Sequence, residues 1–389
     1  MEATIIKATI IKVTIIKVTL GALVLSGGLA GVQTAGAADI KADVTVAVVG
    51  PMTGQYATYG DQLRRGAEKA VADINAKGGI LGNKLQLVVG DDACDPKQAV
   101  AVANQMAARG VALVDGHYCS SSSIPASAIY NDTGILQISP ASTNPRFTDE
   151  PAAKGWTNIF RISGRDDDQG ATAAKYIAAN FAGKRLALVH DKSAYGKGLV
   201  DEMKKAVNRA GLQEVLYDSV SQGEKDFTSL ITLLKQKAID VVYFGGYHAE
   251  AGLIVRQARD QGLNTRFIGG DTLMTEEFYK ITGASGDGTL MTFHPDPRRN
   301  PAARTLVEQF QAQGIDPTGY TLYSYSVMQV FAQAAQAAGS LDMAKVSTLL
   351  RSGKVFDTAV GILSFDWKGD VATPDFVFYE WRNGGFSQL

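Results

Sequence analysis

The chain has 389 residues, 46% hydrophobic and 20% charged, with a net charge of −1. That length and composition fit two globular domains, and the lack of a basic stripe excludes nucleic acid as a partner. Two cysteines with no local histidine pair make poor metal ligands, so no metal and no cofactor is expected.

The first 37 residues stand apart. Thr-Ile-Ile-Lys recurs at Thr4, Thr9 and Thr14, with Lys7, Lys12 and Lys17 making the segment cationic. An uncharged apolar run, 18–32, follows. It falls short of the ~20 residues a membrane-spanning helix needs. Ala35-Gly36-Ala37 supplies the small-x-small pattern of a signal-peptidase site, so residues 1–37 read as a signal peptide and the protein as periplasmic. Its removal takes away three lysines and one glutamate and moves the net charge from −1 to −3.

Beyond it, buried strands are expected at 44–49, 85–89, 111–114 and 135–139, with helices at 59–75, 96–109 and 123–132 between them. This βαβαβαβ order is that of a parallel sheet covered on both faces. An extended segment at 160–163 precedes a helix over 166–180 that opens on Asp166, Asp167 and Asp168. Acids in a first helical turn favour the dipole and the cap over a calcium site. Strands at 185–190, 214–217, 240–245 and 266–269 then alternate with helices at 196–210, 226–237 and 249–261. A strand at 289–293, helices at 301–313, 319–338 and 341–351, an extended stretch at 362–366 and a late strand at 376–381 complete the chain. The expected fold is α/β: two doubly wound parallel-sheet lobes. Crossings fall near 161–164, 293–297 and 370–374. Lobe one takes 42–161 and 296–371, lobe two 162–295 and 372–389.

Cys94 and Cys119 each follow a predicted strand. In an exported chain a disulfide between them is the natural expectation, a metal site the weaker one.

Ligands of open α/β sheets bind outside the carboxyl ends of strands, and clefts between domains favour them. In lobe one those ends offer Tyr59, Tyr118, Ser120, Ala141 and Thr143. In lobe two they offer Tyr195, Tyr247 and Asp271. Hydroxyls and free amides facing a carboxylate and phenols suit a zwitterionic amino acid. The Ser120 hydroxyl, backbone amides near Ser120 and Thr143, and a tyrosine hydroxyl would donate to its carboxylate. Asp271, the Ala141 carbonyl and the Thr143 hydroxyl would accept from its ammonium.

At these residues the chain resembles the periplasmic branched-chain amino-acid binding proteins, the leucine/isoleucine/valine receptors of ABC transporters. The runs that carry the resemblance are YGDQLRRGAEKAVADINAKGGILGNKLQ, DDACDPKQAVAVAN, CSSSSIPAS, DDDQGATAAKYIA, HDKSAYGKGL, GEKDFTSL, GGYHAEAG and RQARDQGL. The resemblance implies a type I periplasmic-binding fold with three inter-lobe crossings and a Cys94–Cys119 bridge. It also implies the carboxylate roles of Ser120 and Thr143, the ammonium roles of Ala141, Thr143 and Asp271, and a pocket lined by Tyr59, Tyr195, Tyr247 and Tyr320. The partners it implies are a small amino-acid ligand and an inner-membrane ABC permease, with the protein a monomer. Two positions depart from well-known members: Asp271 stands where glutamate is usual, and Tyr118 where a leucine-like residue is usual. Those changes favour valine, alanine or 4-aminobutyrate at least equally with leucine.

Catalysis is not expected. No HExxH or GxSxG is present, Gly196-Lys197-Gly198 lacks the rest of a phosphate loop, and a bridged Cys119 beside His117 is no nucleophile. A ligand sensor docking a signalling protein in place of a permease is the other alternative.

Overall fold

The computed structural model describes residues 43–389. The expected signal segment lies outside the described residues. The first lobe runs β1 (Val44–Gly50), α1 (Ala57–Ala76), β2 (Leu85–Asp91), α2 (Pro96–Ala108), β3 (Leu113–Gly116), α3 (Ser120–Asp132), β4 (Leu136–Ser139), α4 (Arg146–Ala153) and β5 (Ile159–Arg161). Its five strands form one parallel sheet in the order β2-β1-β3-β4-β5. Val46, Ala47, Val48 and Val49 are all fully buried, which is why the strand is apolar without alternation: helices cover both faces. Helix α1 buries Tyr59, Leu63, Ala67 and Ala70, spaced three or four apart on one stripe.

The second lobe repeats the pattern with α5 (Asp166–Asn180), β6 (Leu186–His190), α6 (Ala194–Arg209), β7 (Leu216–Ser219), α7 (Thr228–Gln236), β8 (Val241–Gly245), α8 (His248–Asp260), β9 (Arg266–Gly269), α9 (Glu276–Thr282) and β10 (Leu290–Phe293). The chain then returns through α10 (Arg304–Gln311) to α11 (Thr321–Ala338), which packs on α1 of the first lobe. Gly66 permits that contact, since a Cβ there would sit 2.2 Å from the Thr321 carbonyl oxygen. Helix α12 (Met343–Leu350) and a two-stranded hairpin, β11 (Phe356–Thr358) with β12 (Gly361–Leu363), follow. A third crossing leads to β13 (Val377–Arg382) and β14 (Gly385–Gln388), which join the second sheet.

The second sheet has the order β14-β13-β10-β9-β8-β6-β7. Its parallel core is as expected. The late strand expected at 376–381 is β13; its antiparallel pairing with β10 and the further strand β14 were not anticipated. Other boundaries differ for local reasons. The strand expected at 214–217 lies at Leu216–Ser219, where it pairs with Ala187–His190 of β6. The helix expected from 301 begins at Arg304, because Asn300 caps a separate 3-10 turn at Pro301–Ala303. Helix α4, with Pro151 inside it, was not expected at all. Asp166, Asp167 and Asp168 do occupy the first turn of α5, but the N-cap position is Arg165 and no side chain caps it.

Cys94 and Cys119 are bridged, with Cα atoms 5.5 Å apart. Closing that loop contributes roughly 3 kcal/mol in the chain-entropy account. The bridge fastens the loop after β2 to the start of α3.

Candidate ligand-binding cleft

Each sheet reverses its winding once, at β1/β3 in the first and β6/β8 in the second. Such switch points open a crevice at the strand ends. The segments leaving β1 and β3 carry Tyr56 and Tyr118 in loops, and Tyr59 and Ser120 in the first turns of α1 and α3. Those leaving β6 and β8 carry Asp191 and Tyr247 ahead of the helices and Tyr195 in the first turn of α6.

All nine predicted site residues are buried. Asp271, directly after β9, is 2% exposed. Its Oδ1 accepts from Tyr195 Oη at 2.8 Å and from Gln169 Nε2 at 3.1 Å, and its Oδ2 from Tyr320 Oη at 2.5 Å. Every one of these donors is neutral, and Asp271 has no ion-pair partner among the described residues. Burial raises the Asp271 carboxyl above its ordinary range, and the bonds from Tyr320, Tyr195 and Gln169 pull it back only in part.

The aromatic residues form a continuous wall. Tyr59 and Tyr118 stack with ring centroids 4.4 Å apart, and Tyr118 meets Tyr320 edge-on at 5.3 Å. Tyr247 packs against Tyr56 at 4.6 Å and Tyr195 at 5.3 Å. Tyr59 also ties the lobes together. Its hydroxyl donates to the Thr272 carbonyl at 2.6 Å and lies 2.7 Å from His248 Nδ1. The hydroxyls of Tyr118 and Tyr247 are buried without a hydrogen-bond partner.

The first lobe supplies the donor side. Ser120 is the first residue of α3, three residues earlier than the sequence suggests, so its amide belongs to the turn whose N–H groups have no intrahelical acceptor. Its Oγ accepts from the Asn144 amide at 3.3 Å. Thr143 Oγ1 is buried and unpartnered, and Ala141 lies two residues before it in the same loop. Arg161, fully buried in β5, holds this loop in place. It donates to the carbonyls of Ser142 at 2.7 Å and Asn144 at 3.0 Å, on either side of Thr143, and through Nε to Asp370 at 2.6 Å.

Several residues of the cleft were missed in the sequence. Gln169 sits inside the DDDQG run, one turn into α5, on its buried face. Glu250 is fully buried in α8. It accepts from Gln55 Nε2 at 3.1 Å and from the Gly223 amide at 2.8 Å, with Tyr56 Oη at 3.4 Å. Arg161 had a legible signal, a charge inside an apolar strand. Gln169 and Glu250 had none, because their partners are remote in the chain.

Two α/β lobes joined by three crossings, with a buried polar cleft between them, define a two-lobed solute-binding protein. The chain belongs to the periplasmic binding protein family, whose model matches residues 43–385. This is a family of substrate-binding receptors and not of enzymes. The chain is 49% identical over 343 residues to Leu/Ile/Val-binding protein homolog 1 of Brucella melitensis, covering 88% of this chain and 91% of that protein. A leucine-binding protein from Thermotoga maritima superposes with a TM-score of 0.82 at 28% identity, over 89% of this chain and 97% of its own. The branched-chain amino acid transporter substrate-binding protein of Streptococcus pneumoniae, in complex with isoleucine, gives 0.80 at 25% identity, over 89% and 99%.

Proposed function

We propose that this protein is a periplasmic receptor for a small aliphatic amino acid of the branched-chain type, working as a monomer that delivers its ligand to an inner-membrane ABC permease. The segments 42–161 with 296–371, and 162–295 with 372–389, are the lobes that close on the ligand. No catalytic step is involved. The observation that carries this reading is Asp271: a buried carboxylate bonded only to neutral donors, which calls for a cation from outside the protein. The ligand's ammonium supplies that charge, with the Ala141 carbonyl and Thr143 hydroxyl as further acceptors. Ser120, the first-turn amides of α3 and the Thr143 region receive the ligand's carboxylate at a helix N-terminus, where anions are favoured. Tyr59, Tyr118, Tyr195, Tyr247 and Tyr320 enclose the aliphatic side chain.

Calorimetric titration with leucine, isoleucine, valine, alanine and 4-aminobutyrate tests the reading. At least one should bind with a 1:1 stoichiometry. Asp271→Ala, checked for folding by circular dichroism, should weaken that binding by about 3–5 kcal/mol, the usual result of leaving a buried charge unpaired. Binding within a few-fold of wild type would show the role is misassigned.

A further inference from the structure

The three crossings meet at one side chain that plays no part in the cleft. His294 follows β10 at the start of the second crossing and is 5% exposed. Its Nε2 lies 3.3 Å from the backbone amide of Gly164, in the first crossing. Its Nδ1 lies 2.8 Å from the carbonyl of Asp375, in the third. An amide can only donate and a carbonyl can only accept. Both bonds therefore require a neutral imidazole with its proton on Nδ1. The ring is fixed further by Phe376 at 4.4 Å and Tyr323 at 5.2 Å. Gly164 allows this approach, since a Cβ there would fall 2.4 Å from the Phe376 ring and 3.1 Å from His294 Cε1. The His294 carbonyl in turn accepts from Tyr379 Oη at 2.7 Å.

We infer that His294 is a positioning residue for closure, a neutral imidazole that ties all three crossings together in the arrangement that shuts the cleft. The structure in which these bonds exist is the closed one, because Tyr59 and Tyr320 of the first lobe bond to Thr272 and Asp271 of the second. Opening the lobes turns the three crossings relative to one another and strains both bonds to the ring. The staple thus adds to the closed form without touching ligand. The inference rests on the receptor reading for its ligand-bound arm only.

Acid is the natural antagonist of this device. Protonated Nε2 cannot accept from Gly164. Burial lowers the His294 pKa to about 4, against a smaller upward pull from the Asp375 carbonyl. The titratable and charged groups around the ring are Tyr323 of α11, Tyr379 of β13, and Asp296 and Asp375 of the crossings. The tyrosines are raised by burial and stay neutral. A groove of about 150 Å³, lined by Gly164, His294 and Asp375 among others, lies beside the ring. A ring freed by opening returns toward its ordinary pKa near 6.5. Closing then expels a proton, and closure weakens as pH falls below about 6.

Two variants separate positioning from mere packing. His294→Phe keeps the ring and loses both bonds. His294→Gln keeps an acceptor and a donor at matching separation but does not titrate. Ligand-free solution scattering should give a larger radius of gyration for His294→Phe than for wild type, with His294→Gln close to wild type. In titrations with leucine at pH 7.5, His294→Phe should bind about tenfold more weakly, the usual scale for losing two neutral hydrogen bonds. His294→Gln should stay within about twofold and lose less affinity than wild type between pH 7.5 and 4.5. Equal scattering and equal affinity for all three proteins would overturn the inference. So would a Gln variant as impaired as the Phe variant with an unchanged pH profile. If wild type bound no amino acid, the receptor reading would fail, while the ligand-free scattering would still decide the role of His294. If His294→Phe did not fold, the Gln variant's pH profile would decide it alone.

Discussion

The two sides of the cleft are built in opposite ways. The first lobe presents hydroxyls and backbone amides on short loops, and those loops are held from behind by the Cys94–Cys119 bridge and by Arg161. The second lobe presents a carboxylate at a strand end, held from the front by phenols and one amide: Tyr195, Gln169 and, from across the cleft, Tyr320. The donor side is therefore set before ligand arrives. The acceptor side completes itself only when the lobes meet. On the proposed reading, the difference teaches where selectivity for a zwitterion would reside: a fixed place for the carboxylate, and an anion awaiting its counter-charge.

The donor side breaks most severely at Arg161. Burial alone would raise the Asp370 carboxyl, but Arg161 and then Arg165 overcome it and hold the group below its usual range. Arg161→Met should cost on the order of 3 kcal/mol of stability in urea unfolding, since it leaves buried Asp370 with Arg165 alone as its cation and takes the donors from the Ser142 and Asn144 carbonyls, and it should release the loop around Thr143. Leucine binding should weaken with it, whereas an exposed change such as Arg146→Met should alter neither.

The acceptor side is sharpened by pH. Asp191, at the end of β6 behind Tyr247, accepts from the Ser193 amide at 2.9 Å and the Ser193 hydroxyl at 2.6 Å. Burial, with the charge of Glu250 adding to it, raises its pKa to about 7. Folding therefore takes up a proton between pH 4 and 7, and stability on this account falls as pH rises through that window. Asp191→Asn cannot ionise. Its melting temperature should match wild type near pH 4 and exceed it increasingly up to pH 7–8. A constant difference across the range would contradict the assignment.

The smallest expected effect concerns ligand choice. Tyr118 is clamped between Tyr59 and Tyr320, beside the bridged Cys119, and on the proposed reading its ring would take space that a leucine side chain needs. Tyr118→Leu should raise the affinity for leucine relative to alanine by about tenfold, the range that one or two methylenes give in a pocket. An unchanged ratio would remove Tyr118 from selectivity.

The strand ends were legible because apolar runs stop a few residues before Ser120, Thr143, Tyr195, Tyr247 and Asp271, and each parallel sheet puts its stops on one edge. Tyr320 came from the resemblance alone. Its bond to Asp271 joins residues 49 apart in sequence, and no local pattern announces it. The same holds for Tyr56 and Glu250, 194 apart. Helix α4 was hidden by Pro145 and Pro151, which read as breakers although Pro145 occupies the N-cap position, outside the helix. The β13–β14 hairpin carried a signal that went unused. Asn383-Gly384, with φ of 53° and 82°, is the turn pair that a two-residue hairpin prefers.

The central claim is that a buried anion at Asp271 selects the ligand's ammonium, and one double comparison addresses it directly. Wild type and Asp271→Ala are each titrated with leucine and with 4-methylpentanoate, which is leucine without its amine. Wild type should prefer leucine by at least about a hundredfold, consistent with the scale of an unpaired buried charge. Asp271→Ala should erase most of that preference. A variant that keeps the full preference for leucine would contradict the account.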